Sequence, residues 1–184
     1  MRLKTAFTLL SLTLLSLTLL SQTAVANENI IGGSIGYGTQ DFNLKYDAND
    51  GDTVAFDIYY RHMLSDYMGV EAGYTRSYDG IFSDFTSLLS SADVSSYGGP
   101  RLSLYGQYPL SHGNALYAKV GVAYHDVDYK MNNVKHNESK VGADLQVGWE
   151  KRFHNGMGIN VGYQFADSSI LTMNNFYVGT SYRF

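Results

Sequence analysis

From residue 30 onward, apolar residues alternate with small or polar ones in stretches of about ten, the period of a β-strand whose two faces meet different surroundings. Near 30–39, Ile31, Ile35 and Tyr37 oppose Gly32, Ser34, Gly36 and Gly38. Near 53–62, Val54, Phe56, Ile58 and Tyr60 oppose Ala55, Asp57, Tyr59 and Arg61. The same scheme recurs near 68–77, 99–108, 115–127, 139–152, 157–166 and 175–184, so the pattern predicts eight strands. In the fifth, Leu116, Ala118, Val120, Val122 and Tyr124 oppose Tyr117, Lys119, Gly121, Ala123 and His125.

The connections alternate in length. Those near 63–67, 109–114 and 153–156 are tight, with turn residues in Pro109, His112-Gly113-Asn114 and Asn155-Gly156. Those near 40–52, 78–98 and 128–138 are longer, and the one near 167–174 is intermediate. Short turns at one rim and longer loops at the other is the plan of a membrane-spanning up-and-down barrel.

Alternation alone also suits a soluble barrel of lipocalin type with its apolar face inward. Two features reverse that reading. The polar face carries Gly, Ser, Ala and Tyr with single charges, where a solvated surface is crowded with Lys and Glu. With strand one running outward, Tyr37, Phe56, Tyr74, Tyr124, Tyr163, Phe165 and Phe176 form one aromatic girdle. Tyr60, Tyr108, Trp149, Tyr182 and Phe184 form the other, as interfacial anchoring requires. The expected fold is all-β: an eight-stranded antiparallel up-and-down transmembrane β-barrel, which satisfies every backbone group without water.

The first 26 residues do not fit this scheme. Arg2 and Lys4 precede an apolar, hydroxyl-rich run to about Leu20 and then Ala24-Val25-Ala26, the layout of a secretory signal. Residues 1–26 are therefore expected to be removed near Ala26, leaving 27–184 as the barrel domain. Export without a single cysteine excludes disulfide staples, so barrel closure must supply cooperativity. With 19 Gly, 16 Tyr and 9 Phe, charged residues reach only 16%, below the roughly 25% of soluble domains. A net charge of −4 argues against nucleic acid as a partner.

The ending Phe176-Tyr177-Val178-Gly179-Thr180-Ser181-Tyr182-Arg183-Phe184, with segments such as Val70-Glu71-Ala72-Gly73-Tyr74-Thr75, resembles the small eight-stranded outer-membrane barrels typified by the OmpA transmembrane domain and the OmpX–Ail group. The resemblance covers about residues 28–184. It implies location in the outer membrane of a Gram-negative bacterium, lipid and lipopolysaccharide as surroundings, and Phe176, Val178, Tyr182 and Phe184 as the assembly signal read by the barrel-insertion machinery. Members of that group act as membrane-stability proteins, adhesins or complement-resistance factors. Nothing after the barrel resembles the peptidoglycan-binding domain of OmpA, so no cell-wall tether is expected, and a monomer is.

Eight strands enclose a lumen that side chains fill. Strand parity turns Asp57, Arg61, Glu71, Arg101, Lys119, Asp144, Glu150 and Arg183 inward, with Arg61, Glu71, Lys119, Glu150 and Arg183 at similar depth. Buried charges must be paired, so these are expected to form a salt-bridge network that plugs the barrel. A narrow gated pore is the alternative use of the same charges.

No catalytic residue, cofactor or metal site is expected. Some small barrels edit lipid A, but His125 in the lumen and His136, Glu138 and Ser139 in the third loop give only a weak His-x-x-Ser. Four metal ligands at usable spacing do not occur. In the second loop, Ile81, Phe82, Phe85, Leu88, Leu89 and Ala92 recur at helical spacing, which marks Phe82, Phe85, Leu88 and Leu89 as a candidate extracellular contact for a host or cell-surface ligand. The function expected is that of a non-enzymatic barrel presenting surface loops, with an adhesin, a pore and a lipid-modifying enzyme as alternatives.

Overall fold

The computed structural model describes residues 28–43, 51–79, 93–131 and 134–184. They form eight strands: β1 (Asn29–Phe42), β2 (Gly51–Met63), β3 (Met68–Asp79), β4 (Asp93–Ser111), β5 (Asn114–Met131), β6 (Val134–Arg152), β7 (Met157–Asp167) and β8 (Leu171–Arg183). Each pairs antiparallel with its sequence neighbours, and β1 closes on β8 from Ile30↔Arg183 to Phe42↔Leu171. The expected fold is the one found. Residues 1–26, and with them the expected signal peptide, lie outside the described residues, as do Phe82, Phe85, Leu88 and Leu89.

The faces separate as the alternation predicts. Ile58 is 67% exposed and Phe176 72% exposed on the outer surface, alongside Leu104, Val120, Val141 and Val147. The buried set includes Arg61, Glu71, Arg101, Lys119, Asp144 and Glu150. An apolar exterior around a charged interior suits hydrocarbon outside, because only there is an exposed isoleucine at no disadvantage. Tyr37, Phe56, Tyr74, Tyr124 and Phe176 are exposed toward one rim, and Tyr60, Tyr108, Tyr182 and Phe184 toward the other.

At the rim that holds both Glu28 and Phe184, the turns are tight. The β4–β5 hairpin turns at His112-Gly113, and β6–β7 turns through Gly156; φ is 72° at Gly113 and 85° at Gly156, left-handed values that favour glycine. Pro109 sits in β4 beside a register shift between Pro109 and Ser111, where a missing N–H is tolerated.

All four connections at the other rim are shorter than expected, the first spanning 43–50 and the second 80–92, since β4 already begins at Asp93. The third, expected as a loop over 128–138, is strand: β5 runs to Met131 and β6 starts at Val134. Above the lipid the alternation inverts, with Val127 buried and Asp128 exposed, so it no longer reads as the same strand, yet the backbone pairs from Asp128↔Asn137 to Met131↔Val134. The fourth shrinks to 168–170. The β6–β7 ladder begins only at Ala143↔Asp167, and β3–β4 ends at Ser77↔Tyr97. β4, β5 and β6 therefore stand above their neighbours as a raised three-stranded sheet.

Candidate functional site in the lumen

The lumen is built from strand parity and register together. Arg61 on β2 lies directly across from Glu71 on β3. Glu71 is 0% exposed and Arg61 2% exposed. Glu71 Oε2 accepts from Arg61 Nε at 2.8 Å and Nη2 at 2.7 Å. Its Oε1 accepts from Arg101 Nη1 and from Lys119 Nζ, each at 2.7 Å. One buried carboxylate thus receives three cations from three strands.

The network extends in both directions from Glu71. Arg101 forks onto Asp57, Nε to Oδ1 at 3.0 Å and Nη2 to Oδ2 at 2.7 Å, and Asp57 also accepts from Thr75 Oγ1 at 2.9 Å. Toward the tight-turn rim, Arg61 Nη1 reaches Glu150 Oε2 at 3.5 Å, and Arg152 also pairs with Glu150. A bidentate arginine fixes geometry as well as charge, so this layer is both ion-paired and rigid.

Tyrosines enclose it. Arg61 lies 3.6 Å over the ring of Tyr105, and Lys119 lies 4.7 Å over Tyr59. Tyr105 stacks on Tyr117 at 5.8 Å, and Tyr117 and Tyr177 join hydroxyls at 2.7 Å. Cations on aromatic faces in a desolvated site gain about 2 kcal/mol, which offsets part of the burial cost.

Two of the eight lumenal charges stand apart. Arg183 pairs with Glu28 at the rim, 3.1 Å from Nη1 to Oε1, and both are more than a third exposed. Asp144 bonds to amides, accepting from Gln146 Nε2 at 3.0 Å and from Gln164. Arg183 was expected at the depth of Arg61, Glu71, Lys119 and Glu150 but lies at the rim where β8 ends, and Arg101, left out of that layer, takes its place on Glu71. Glu28, Arg152 and the four tyrosines were not singled out; the tyrosines' inward parity was the available signal, whereas Glu28 preceded the first expected strand.

Beyond Asp144 the lumen changes character. Phe42, Tyr97, Val127, Ala166, Ile170, Leu171 and Met173 form a buried apolar cluster at the outer mouth, with Phe42 and Tyr97 edge to face at 6.4 Å. Charged side chains thus occupy the lumen below and an apolar cluster occupies it above.

The remaining candidates are placed as follows. Phe176, Val178 and Tyr182 point outward from β8, and Phe184 exchanges backbone bonds with Asn29 at 2.9 and 3.1 Å. His125 is buried in the lumen with its ring 6.5 Å from Tyr97. His136, Glu138 and Ser139 lie on β6 rather than in a loop, and the Ser139 hydroxyl donates to Asp126 at 2.8 Å. Among the described residues no cluster of three His, Cys, Asp or Glu could hold a metal.

Comparison with known proteins places this architecture. No curated protein sequence matches the chain. Among solved structures, Neisserial surface protein A superposes with a TM-score of 0.70 at 9% identity, covering 85% of this chain and 97% of that one. The Ail protein of Yersinia pestis gives 0.61 at 14%, covering 87% and 100%. OprG of Pseudomonas aeruginosa gives 0.59 at 16%, covering 86% and 96%. At such identities the likeness concerns the fold alone. The family model described as outer membrane protein beta-barrel domain, however, matches residues 10–184, and the chain belongs to that family as an integral eight-stranded barrel of the Gram-negative outer membrane.

Proposed function

We propose that the protein is a non-enzymatic, insulating barrel that works as a monomer, anchoring and presenting extracellular surface rather than conducting solutes. The carrying observation is the Glu71 carboxylate, held by Arg61, Arg101 and Lys119 with no exposure to solvent. A lumen filled this way opposes the passage of water and ions, and the cost of opening it is that of separating buried ion pairs. In planar bilayers, wild type and Lys119→Met should both insulate, with lower thermal stability for the variant; stable conductance in Lys119→Met would favour the pore reading.

The surface is where such a scaffold acts, because loops carry specificity. A second reading, an adhesin, draws on the raised β4–β6 sheet and on the 78–98 segment, of which Phe82, Phe85, Leu88 and Leu89 lie outside the described residues. Ail has been solved with the heparin analogue sucrose octasulfate, which under this reading supports an anionic ligand for the outer surface of this barrel. Replacing Phe85 and Leu89 with Ser should abolish cell binding under this reading, and unchanged binding would leave only the scaffold.

Two further assignments belong to the same proposal. Residues 1–26 act as the export signal, so amino-terminal sequencing of outer-membrane material should start near Asn27. Phe176, Val178, Tyr182 and Phe184 address the chain to the insertion machinery.

A further inference from the structure

We infer that the periplasmic mouth of the barrel is a binding site for a phosphate-bearing group. A cavity of about 360 Å³ opens at the tight-turn rim, within the range of roughly 300–1,000 Å³ typical of small-ligand sites. Its wall carries Lys151, Arg152 and Arg183, against two carboxylates, Glu28 and Glu150. Both carboxylates are already engaged. Glu28 pairs with Arg183, and Glu150 is shared between Arg152 and Arg61. Lys151 makes no ion pair among the described residues; its Nζ donates to the His112 carbonyl at 3.0 Å.

The mouth therefore holds a surplus of positive charge, in a chain whose net charge is −4. Among the residues whose side chains are described, the opposite rim carries Asp41, Asp52, Asp126, Asp128, Glu138 and Asp167 against Arg76 and Lys140, an excess of the opposite sign. A surplus cation at a concave, partly desolvated surface recruits an anion, since low dielectric strengthens the attraction.

The donor set favours phosphate. Arg152 brings a planar guanidinium, whose Nη2 already serves Glu150 and Ser181, and Lys151 adds a point charge to the same wall, donors that suit a tetrahedral oxyanion. Arg152 Nη1 is fixed by the Gly156 carbonyl at 3.1 Å, so the guanidinium is oriented before any ligand arrives. Ile30 and Met63, both buried, floor the cavity, and Phe153 lines its wall, leaving room for an apolar body attached to the phosphate. The group could come from a free phosphate ester or from a phospholipid headgroup of the inner leaflet, which lies at this height.

The test uses the full-length barrel refolded in maltoside micelles, which hold no phosphate. Inorganic phosphate is titrated at constant ionic strength against chloride, reading the thermal midpoint of the gel-mobility shift. Phosphate should raise the midpoint in wild type, with apparent affinity lowered about tenfold in Lys151→Gln, the loss of one charge-assisted contact. Lys140→Gln, on β6 near the opposite rim, should respond as wild type does. In a second arm, phosphatidylglycerol is added to the micelles; a rise at far lower phosphate concentration assigns the site to a lipid headgroup, and an equal response assigns it to free esters. No rise in either arm, or the same rise in Lys151→Gln, overturns the proposal. The response is read within each variant with and without phosphate, so a lower baseline stability does not obscure it.

Discussion

The hydroxyls of Tyr117 and Tyr177 meet at 2.7 Å inside the barrel, and each ring lies against a glycine of a neighbouring strand. A Cβ on Gly162 would stand 2.7 Å from Tyr177 Cζ, and one on Gly148 2.6 Å from Tyr117 Cζ. The glycines of the inner face are thus the space into which the tyrosine cage folds. Gly162→Val should overpack this layer by about 1–3 kcal/mol. The expected outcome is a lower midpoint for the heat-induced gel shift, while a substitution at Gly106, where an added Cβ meets nothing within 4 Å, should leave it nearly unchanged.

Glu71 is the electrostatic centre of the molecule. Glu71→Gln leaves Arg61, Arg101 and Lys119 converging on a neutral amide, and breaking a buried pair from one side costs about 3–5 kcal/mol. Adding Lys119→Met removes one of the stranded cations. Urea unfolding in vesicles should show the double variant more stable than the sum of the singles predicts, the sign of direct coupling.

The outer mouth holds a second buried layer. Leu171 and Met173 are essentially fully buried in the apolar cluster, in series with the ionic layer. Met173→Asn alone should remain insulating, because the Glu71 network still fills the barrel below it. Combined with Glu71→Gln it should conduct, and single-channel recording separates the two cases. Conductance in Met173→Asn alone would mean that the ionic layer does not seal the lumen.

The Arg61–Glu71 pair was legible from sequence because period-two alternation fixes a face and β2 and β3 are joined by a short turn that fixes register. Arg183 and Asp144 share the same inward parity, yet depth depends on strand tilt and stagger around the closed barrel, which no local pattern encodes. The β5–β6 hairpin above Tyr124 read as a loop for a related reason. Above the lipid the alternation inverts, with Val127 buried in the mouth and Asp128 exposed, while backbone pairing continues from His125↔Lys140 to Met131↔Val134. The apolar outer cluster was also hidden, since Phe42, Leu171 and Met173 lie in stretches whose polar neighbours suggested connections.

Which face meets lipid can be tested at one position. Ile58 projects outward from the middle of β2, two residues from Tyr60 of the inner girdle and two from Phe56 of the outer one. Ile58→Arg should cost about 2–4 kcal/mol, the depth-dependent cost of a cation at the bilayer midplane. The same change at Leu64, exposed in the turn at the rim, should cost far less. Equal effects at the two sites would remove the argument that this surface lies in hydrocarbon.

Phe184 separates assembly from stability. Its ring is 61% exposed and contributes little to the interior, while its backbone closes the β1–β8 seam through Asn29. If the terminal aromatic is read by the insertion machinery, Phe184→Ser should sharply reduce the amount of folded barrel in cells. The same protein refolded from urea into vesicles should unfold at nearly the wild-type midpoint, because the backbone bonds remain. A defect of equal size in both settings would instead assign Phe184 to the stability of the closed barrel, and the signal would have to lie in Phe176, Val178 and Tyr182.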